Sequence, residues 1–271
     1  MINFSELLWN PQRVKGERVS ARLDPPAPVV AQEPLELLRV PTVEVIVPAK
    51  TRIALVNEPR GAGADRFRFL RMKLRELKTL ANLRSIVITS PLPKDGKSTV
   101  ALNVATSLTE KGSSVLLIDA DLHHPTMAER LGLSPTPGLG ECLRDGMDPV
   151  TLLCRVEPLG IYLLQAGAPQ EHPSELLHSE TLPMVVKRLS SLFDWVIIDT
   201  PPITPLTDAV LLSRQVDTSL LVVRADKTPR EAIEHALSLL GTKHVLGILL
   251  NATEGLNQRY AEYRGYYKNK S

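Results

Sequence analysis

The stretch Ser85-Ile86-Val87-Ile88-Thr89-Ser90-Pro91-Leu92-Pro93-Lys94-Asp95-Gly96-Lys97-Ser98-Thr99 decides the reading of this chain. It opens on an apolar run, passes through a polar turn, and leads into Val100 to Leu108, where apolar residues recur at helical spacing. A strand, a Gly-Lys-Ser turn and a helix in that order make a phosphate-binding loop. Lys94, Asp95, Gly96, Lys97, Ser98 and Thr99 form the cradle: backbone N–H groups at the helix N-terminus face phosphate oxygens. Lys97 can reach the β- and γ-phosphates and the Ser98 hydroxyl can bind Mg²⁺. Gly-Lys-Ser alone also occurs by chance in turns, so the flanking strand and helix carry the assignment. Pro91 stands where the general G-x-x-x-x-G-K-[ST] pattern has its first glycine.

Further along, short apolar runs alternate with helical stretches, the signature of a parallel sheet covered on both faces. Ser85 to Thr89, Val115 to Ile118, Trp195 to Ile198, Leu220 to Val223 and Val245 to Leu250 read as strands. Their Val, Ile and Leu content fits burial on both faces, with right-handed crossovers between them. The fold class is therefore α/β, a doubly wound, mainly parallel sheet. In such a sheet ligands bind beyond the carboxyl ends of the strands. Asp119 and Asp121 follow the second run and Asp199 the third, so three carboxylates are expected at the phosphate end. Asp199 has the position of a Walker B aspartate holding Mg²⁺ directly or through water. Asp119 and Asp121 point to one side of an extended segment. Either can orient metal-bound water or take a proton from an attacking hydroxyl, and either can instead cap the next turn.

The 271 residues are 43% hydrophobic with a formal charge of +2, which suits one α/β domain and gives no chain-wide footprint for nucleic acid. Two cysteines, Cys142 and Cys154, make no disulfide framework, and no charged-then-apolar leader is evident. These features predict a cytoplasmic protein, and no apolar run approaches the ~20 residues of a membrane span. Seven prolines between Pro11 and Pro48 punctuate residues 1–50, which read as a disordered arm, either an unstructured leader or a docking segment. The catalytic domain is expected over residues 51–256. Within it, 64–80 forms an amphipathic helix with Phe67, Leu70, Leu74 and Leu77 on one face. Arg68, Arg71, Arg75 and Lys78 form a second face, read as solvated or, less favourably, as membrane-facing.

Residues 257–271 form a tail expected to be flexible, carrying Tyr260, Tyr263, Tyr266 and Tyr267, four of the five tyrosines in the chain. Clustered, tethered hydroxyls near a nucleotide site are substrate candidates, because tethering raises their effective concentration. The alternative is an aromatic tail that docks on a partner.

From Arg52 onward the sequence resembles the bacterial tyrosine kinases (BY-kinases) of capsular and exopolysaccharide systems. Leu117-Ile118-Asp119-Ala120-Asp121 is similar to the family's Walker A′ motif and Phe193 to Pro202 to its Walker B. Gln165-Ala166-Gly167, Pro173-Ser174-Glu175-Leu176-Leu177 and Thr207-Asp208-Ala209 match further family stretches. The resemblance implies ATP and Mg²⁺ as cofactors, with Lys97, Ser98 and Thr99 on phosphate and metal. It makes Asp119 the base, Asp121 and Asp199 the organisers of Mg²⁺, and the tail tyrosines the phosphate acceptors. Asp65, Arg68 and Arg71 match the family's E-x-x-R-x-x-R oligomerisation helix with one acidic exchange, implying a ring in which one subunit phosphorylates the next. A membrane polysaccharide co-polymerase acting in trans would recruit the kinase to the inner face of the plasma membrane, and a phosphotyrosine phosphatase joins the implied partners.

Two departures from the family pattern stand out. Lys94 occupies a usual glycine position, where a positive φ costs a non-glycine residue about 1–2 kcal/mol. His123 and His124 replace an arginine pair, removing permanent charge near the phosphates. The competing readings are a MinD/ParA-type ATPase switch and a catalytically weak nucleotide-binding scaffold. Leu92 stands where the switch family places its second lysine, and a tyrosine cluster has no role there.

Overall fold

The computed structural model of the chain describes residues 34–110 and 112–252. In chain order the elements are β1 (Thr42–Glu44), α1 (Ala54–Asn57), α2 (Ala62–Ala81), β2 (Ser85–Thr89), α3 (Lys97–Thr109), β3 (Val115–Asp119), α4 (Met127–Leu131) and α5 (Leu139–Asp145). There follow β4 (Cys154–Glu157), β5 (Ile161–Leu164), α6 (Pro173–Leu177), α7 (Thr181–Leu192), β6 (Trp195–Asp199), α8 (Asp208–Arg214), β7 (Thr218–Arg224), α9 (Arg230–Leu240) and β8 (Val245–Asn251). They build one sheet in the order β1-β4-β5-β3-β6-β2-β7-β8, parallel throughout except for the antiparallel pair β4 and β5. All five strands expected from sequence are present. β1, β4 and β5 were not anticipated: each is only three or four residues long, and only β5, Ile161-Tyr162-Leu163-Leu164, is a continuous apolar run.

Strand residues alternate between two cores, as the pleat requires. Ile86, Ile88, Val115, Leu117, Trp195 and Ile197 pack with α2 and α3 on one face. Val87, Leu116, Ile118, Val196 and Ile198 pack with α5 and α7 on the other. β2, β3 and β6 are buried at every position, so both faces are apolar and the runs read as continuous.

Residues 34–50 depart from the disordered arm expected of them. Leu37 is buried in the second core, β1 pairs in parallel with β4, and Val45 and Val47 rest on the first core. The cause is a strand period of only five residues, Val43-Glu44-Val45-Ile46-Val47, enclosed by Thr42 and the prolines at 41 and 48, with the valines half-buried and Glu44 and Ile46 exposed. Prolines at the ends of an edge strand cost no ladder bonds, so the punctuation hides a strand instead of excluding one.

The basic face of α2 is likewise not a solvated stripe. Arg75 Nη2 donates to the Leu108 and Glu110 carbonyls at 3.2 and 2.7 Å and to Ser113 Oγ at 3.1 Å. Arg71 pairs with Glu110 and donates to the Ser107 carbonyl at 3.2 Å. Lys78 Nζ donates to the Asp194 carbonyl at 2.7 Å and lies 4.9 Å from the Trp195 ring centroid. Arg71 and Arg75 cap the carboxyl end of α3, where the last carbonyls lack helical partners and the macrodipole is negative, while Lys78 ties α2 to the start of β6. Phe69, Met72 and Leu80 are the large apolar side chains of α2 that face solvent instead.

Candidate active site

Sheet order assembles the site. β6 lies between β3 and β2, with Asp199 opposite Asp119 on one side and opposite Ile88 on the other. The carboxylates of two strands therefore end beside the loop that leaves the third. Lys97 Nζ donates to Asp121 Oδ2 at 2.8 Å and lies 3.8 Å from Asp199 Oδ1 and 3.2 Å from Ser98 Oγ. Burial by itself would lower the Lys97 pKa, but the Asp199 and Asp121 carboxylates outweigh it and hold the ammonium above its ordinary range.

The three aspartates differ in what they accept. Asp119 Oδ2 accepts from the Thr126 and Met127 N–H groups at 3.1 and 3.0 Å, and Oδ1 from the Asp121 N–H at 3.3 Å. The turn-capping alternative thus falls chiefly on Asp119, at the start of α4. Burial, then the charge of Asp199, pushes its pKa up to about 7. Asp121 Oδ1 accepts from the His124 N–H at 3.1 Å, leaving Oδ2 for Lys97. Both Asp199 oxygens are buried and accept no hydrogen bond among the described residues. Burial holds this carboxyl above its usual range against the pull of Lys97.

A fully buried carboxylate that accepts no hydrogen bond among the described residues and meets Lys97 only at 3.8 Å fits a further cation delivered with a ligand. No grouping of three or more His, Cys, Asp or Glu at ligating distance occurs among the described residues. Mg²⁺ keeps waters and takes one or two carboxylates plus phosphate oxygens, so Ser98, Asp121 and Asp199 are the residues that could hold it.

The loop is clamped from the far side of the sheet. Lys94 has φ +68° and Gly96 φ +99°, so the strained position expected at Lys94 is adopted. Asp95 Oδ1 accepts from Thr228 Oγ1 at 2.8 Å and Oδ2 from the Leu92 N–H at 3.1 Å. Asn251 Nδ2 donates to the Asp95 carbonyl at 2.9 Å, and Arg224 to the Lys94 carbonyl at 3.3 Å. A Cβ at position 96 would collide with the Asn251 amide, a second reason for glycine. Pro91 causes no gap in the bonding, because its carbonyl accepts from the Thr204 N–H at 3.2 Å. Sequence reading missed Arg224, Thr228 and Asn251. Their place at or just after the carboxyl ends of β7 and β8, where ligands gather in such sheets, was the available signal.

The histidine pair divides. His123 Nε2 lies 2.8 Å from Asp208 Oδ2 and 3.2 Å from Ser174 Oγ, satisfying a carboxylate that is 1% exposed. The Ser174 and Asp208 stretches noted in the sequence thus meet at His123. His124 is exposed. In α2, Asp65 accepts from Arg68 at 3.2 Å, and Arg68 also donates to the Pro59 carbonyl at 2.8 Å. Asp65, Arg68 and Arg71 therefore hold contacts within their own chain. Tyr260, Tyr263, Tyr266 and Tyr267 lie outside the described residues, as does the expected tail 257–271.

Residues 84–260 match the ParA family described as NUBPL iron-transfer P-loop NTPase. Tyrosine-protein kinase YwqD of Bacillus subtilis is 32% identical over 222 residues, spanning 80% of this chain and 92% of the relative. This chain belongs to the bacterial tyrosine-protein kinase family. The kinase domain of Escherichia coli tyrosine kinase ETK superposes with a TM-score of 0.71 at 26% identity, covering 74% of this chain and 79% of that one. The succinoglycan biosynthesis transport protein ExoP of Rhizobium meliloti is 31% identical over 79% of this chain, which spans only 28% of ExoP. Kinase relatives thus include proteins of this length and much longer ones. Among the described residues no helix is long and apolar enough to cross a membrane.

Proposed function

We propose that this kinase transfers the γ-phosphoryl group of Mg²⁺·ATP to the tyrosines of its own tail, Tyr260, Tyr263, Tyr266 and Tyr267, and thereby regulates exopolysaccharide or capsule polymerisation and export. The observation that carries the reading is Lys97 held between Asp121 and Asp199, whose oxygens accept no hydrogen bond among the described residues, at the mouth of a phosphate loop in a chain of the tyrosine-kinase family. Phosphoryl transfer demands little covalent chemistry of the protein, so positioning and charge supply most of the catalysis. Bound Mg²⁺ would neutralise charge on the phosphates, with Ser98, Asp121 and Asp199 as its protein donors. Lys97 would leave Asp121 for the β- and γ-oxygens. Asp119, whose raised pKa suits a base near neutrality, would take the phenolic proton as the tyrosine oxygen bonds to phosphorus and ADP leaves.

Transfer between subunits of a ring follows the resemblance of α2 to the family's oligomerisation helix. Because Arg68 and Arg71 are engaged within the chain, the exposed Phe69, Met72 and Leu80 are the apolar groups that a neighbour would cover. A membrane polysaccharide co-polymerase in trans would bring the kinase to the membrane. Against the ATPase-switch reading stands Leu92, at the position where that family places its second lysine.

Phosphosite mass spectrometry after incubation with Mg²⁺·ATP, with the activator's cytoplasmic segment where known, tests the reading. Phosphate is expected on the tail tyrosines, absent from Lys97→Met and from the variant with all four changed to phenylalanine. ATP binding without phosphotyrosine in the activated protein would leave a scaffold or a switch.

A further inference from the structure

Arg130, in the last turn of α4, is a cation near the phosphate loop that makes no close ion pair among the described residues, although its charge reaches the buried Asp199 carboxylate. Its Nη1 donates to Thr99 Oγ1 at 3.2 Å and its Nε to Thr126 Oγ1 at 3.3 Å. Both partners are neutral hydroxyls, and no carboxylate lies within ion-pair distance of this guanidinium among the described residues. Thr99 belongs to the first turn of α3, whose N-terminus carries the positive end of the helix dipole. The charge of Arg130 acts on the buried Asp199 carboxylate, which Lys97 approaches to 3.8 Å. Neither oxygen of that carboxylate accepts a hydrogen bond among the described residues, which marks the same place as suited to a charged ligand.

The surroundings hold the backbone of Arg130 and leave room for its side chain. Thr51 Oγ1 donates to the Arg130 carbonyl at 2.6 Å, pinning α4 to the segment before α1. Beside the guanidinium is a cavity of about 180 Å³ lined by Lys50, Thr51, Thr126, Glu129 and Arg130. The histidines cannot make up the charge absent from positions 123 and 124. His123 is committed to Asp208 and Ser174, and His124 turns to solvent.

We propose that Arg130 is a second phosphate-binding cation of this kinase, its guanidinium exchanging the Thr99 hydroxyl for an oxygen of the nucleotide's phosphate chain. Arginine suits this role because its charge is permanent and its planar fork matches phosphate oxygens. The exchange replaces a bond from the guanidinium to a neutral hydroxyl with one to an anionic oxygen, in which both partners carry charge. The inference rests on the nucleotide reading of the site.

The test is equilibrium binding of fluorescent ATP and ADP analogues with Mg²⁺ to the full chain, at low and at physiological salt. Wild type, Arg130→Gln and Arg130→Lys are compared well below their melting temperatures, which are recorded without nucleotide. Arg130→Gln is expected to bind ATP about tenfold more weakly with a shallower salt dependence, and Arg130→Lys to recover most of the loss. Wild-type affinity in Arg130→Gln, or equal loss in Arg130→Lys, would reduce Arg130 to a brace between α4 and α3 and overturn the proposal. Absence of nucleotide binding in the wild type would instead remove the reading on which it rests.

Discussion

Lys94 adopts φ +68° in the middle of the phosphate loop, where an L side chain crowds its own carbonyl. The loop keeps this conformation because Asp95, Asn251 and Arg224 bond it from both sides. Lys94→Gly is therefore expected to raise unfolding stability by up to about 1 kcal/mol, the relief of strain being partly offset by the greater freedom of glycine in the unfolded chain. Urea unfolding of the nucleotide-free protein measures it; a loss of stability would show that the lysine contributes more through its contacts than it costs in backbone strain. The same scale explains the histidine substitution. His123 meets a buried carboxylate at 2.8 Å, so the chain tolerates the exchange of arginine where one charged or hydrogen-bonding nitrogen suffices.

At the scale of elements, α2 shows how a pattern can be read correctly and its environment wrongly. Leu74 and Leu77 are buried and Phe67 and Leu70 rest on the core, as their spacing predicts. The adjoining basic face packs over the carboxyl end of α3, because that end offers unpaired carbonyls and negative dipole charge. Arg75→Met keeps most of the apolar stem and removes the donors. It should cost about 1–3 kcal/mol, the range for leaving partly buried acceptors unsatisfied, and thermal or urea unfolding reads this directly. Phe69→Ser on the exposed face should leave monomer stability nearly unchanged and lower the association state in light scattering, if α2 lies between subunits. An unchanged oligomer would place the contact elsewhere.

The molecule as a whole joins pieces that lie far apart in sequence. Leu37, before the first strand, is buried in the core on one face of the sheet, while Val45 and Val47 reach the other. Leu37→Ala is expected to destabilise by about 2–5 kcal/mol, the cost of removing a fully packed leucine, where a disordered arm would show no change. The phosphate loop, the strand runs and the apolar stripe of α2 were legible in the sequence because each is local: spacing within a dozen residues states which face is buried. The carboxylates were legible one by one, as polar residues ending apolar runs. What spacing does not state is which segments become neighbours. Strand order sets Asp199 between Lys97 and Asp119, brings Thr228 and Asn251 to the loop, and lays Arg130 against Thr99. The sequence by itself determined a P-loop α/β protein with its loop, the aspartates that end its strands and its amphipathic helix. Only the tertiary structure decided that the basic face of α2 turns inward, that residues 34–50 join the sheet, and which side chains clamp the loop, since these depend on burial energies and unpaired backbone groups contributed by segments up to 156 residues apart.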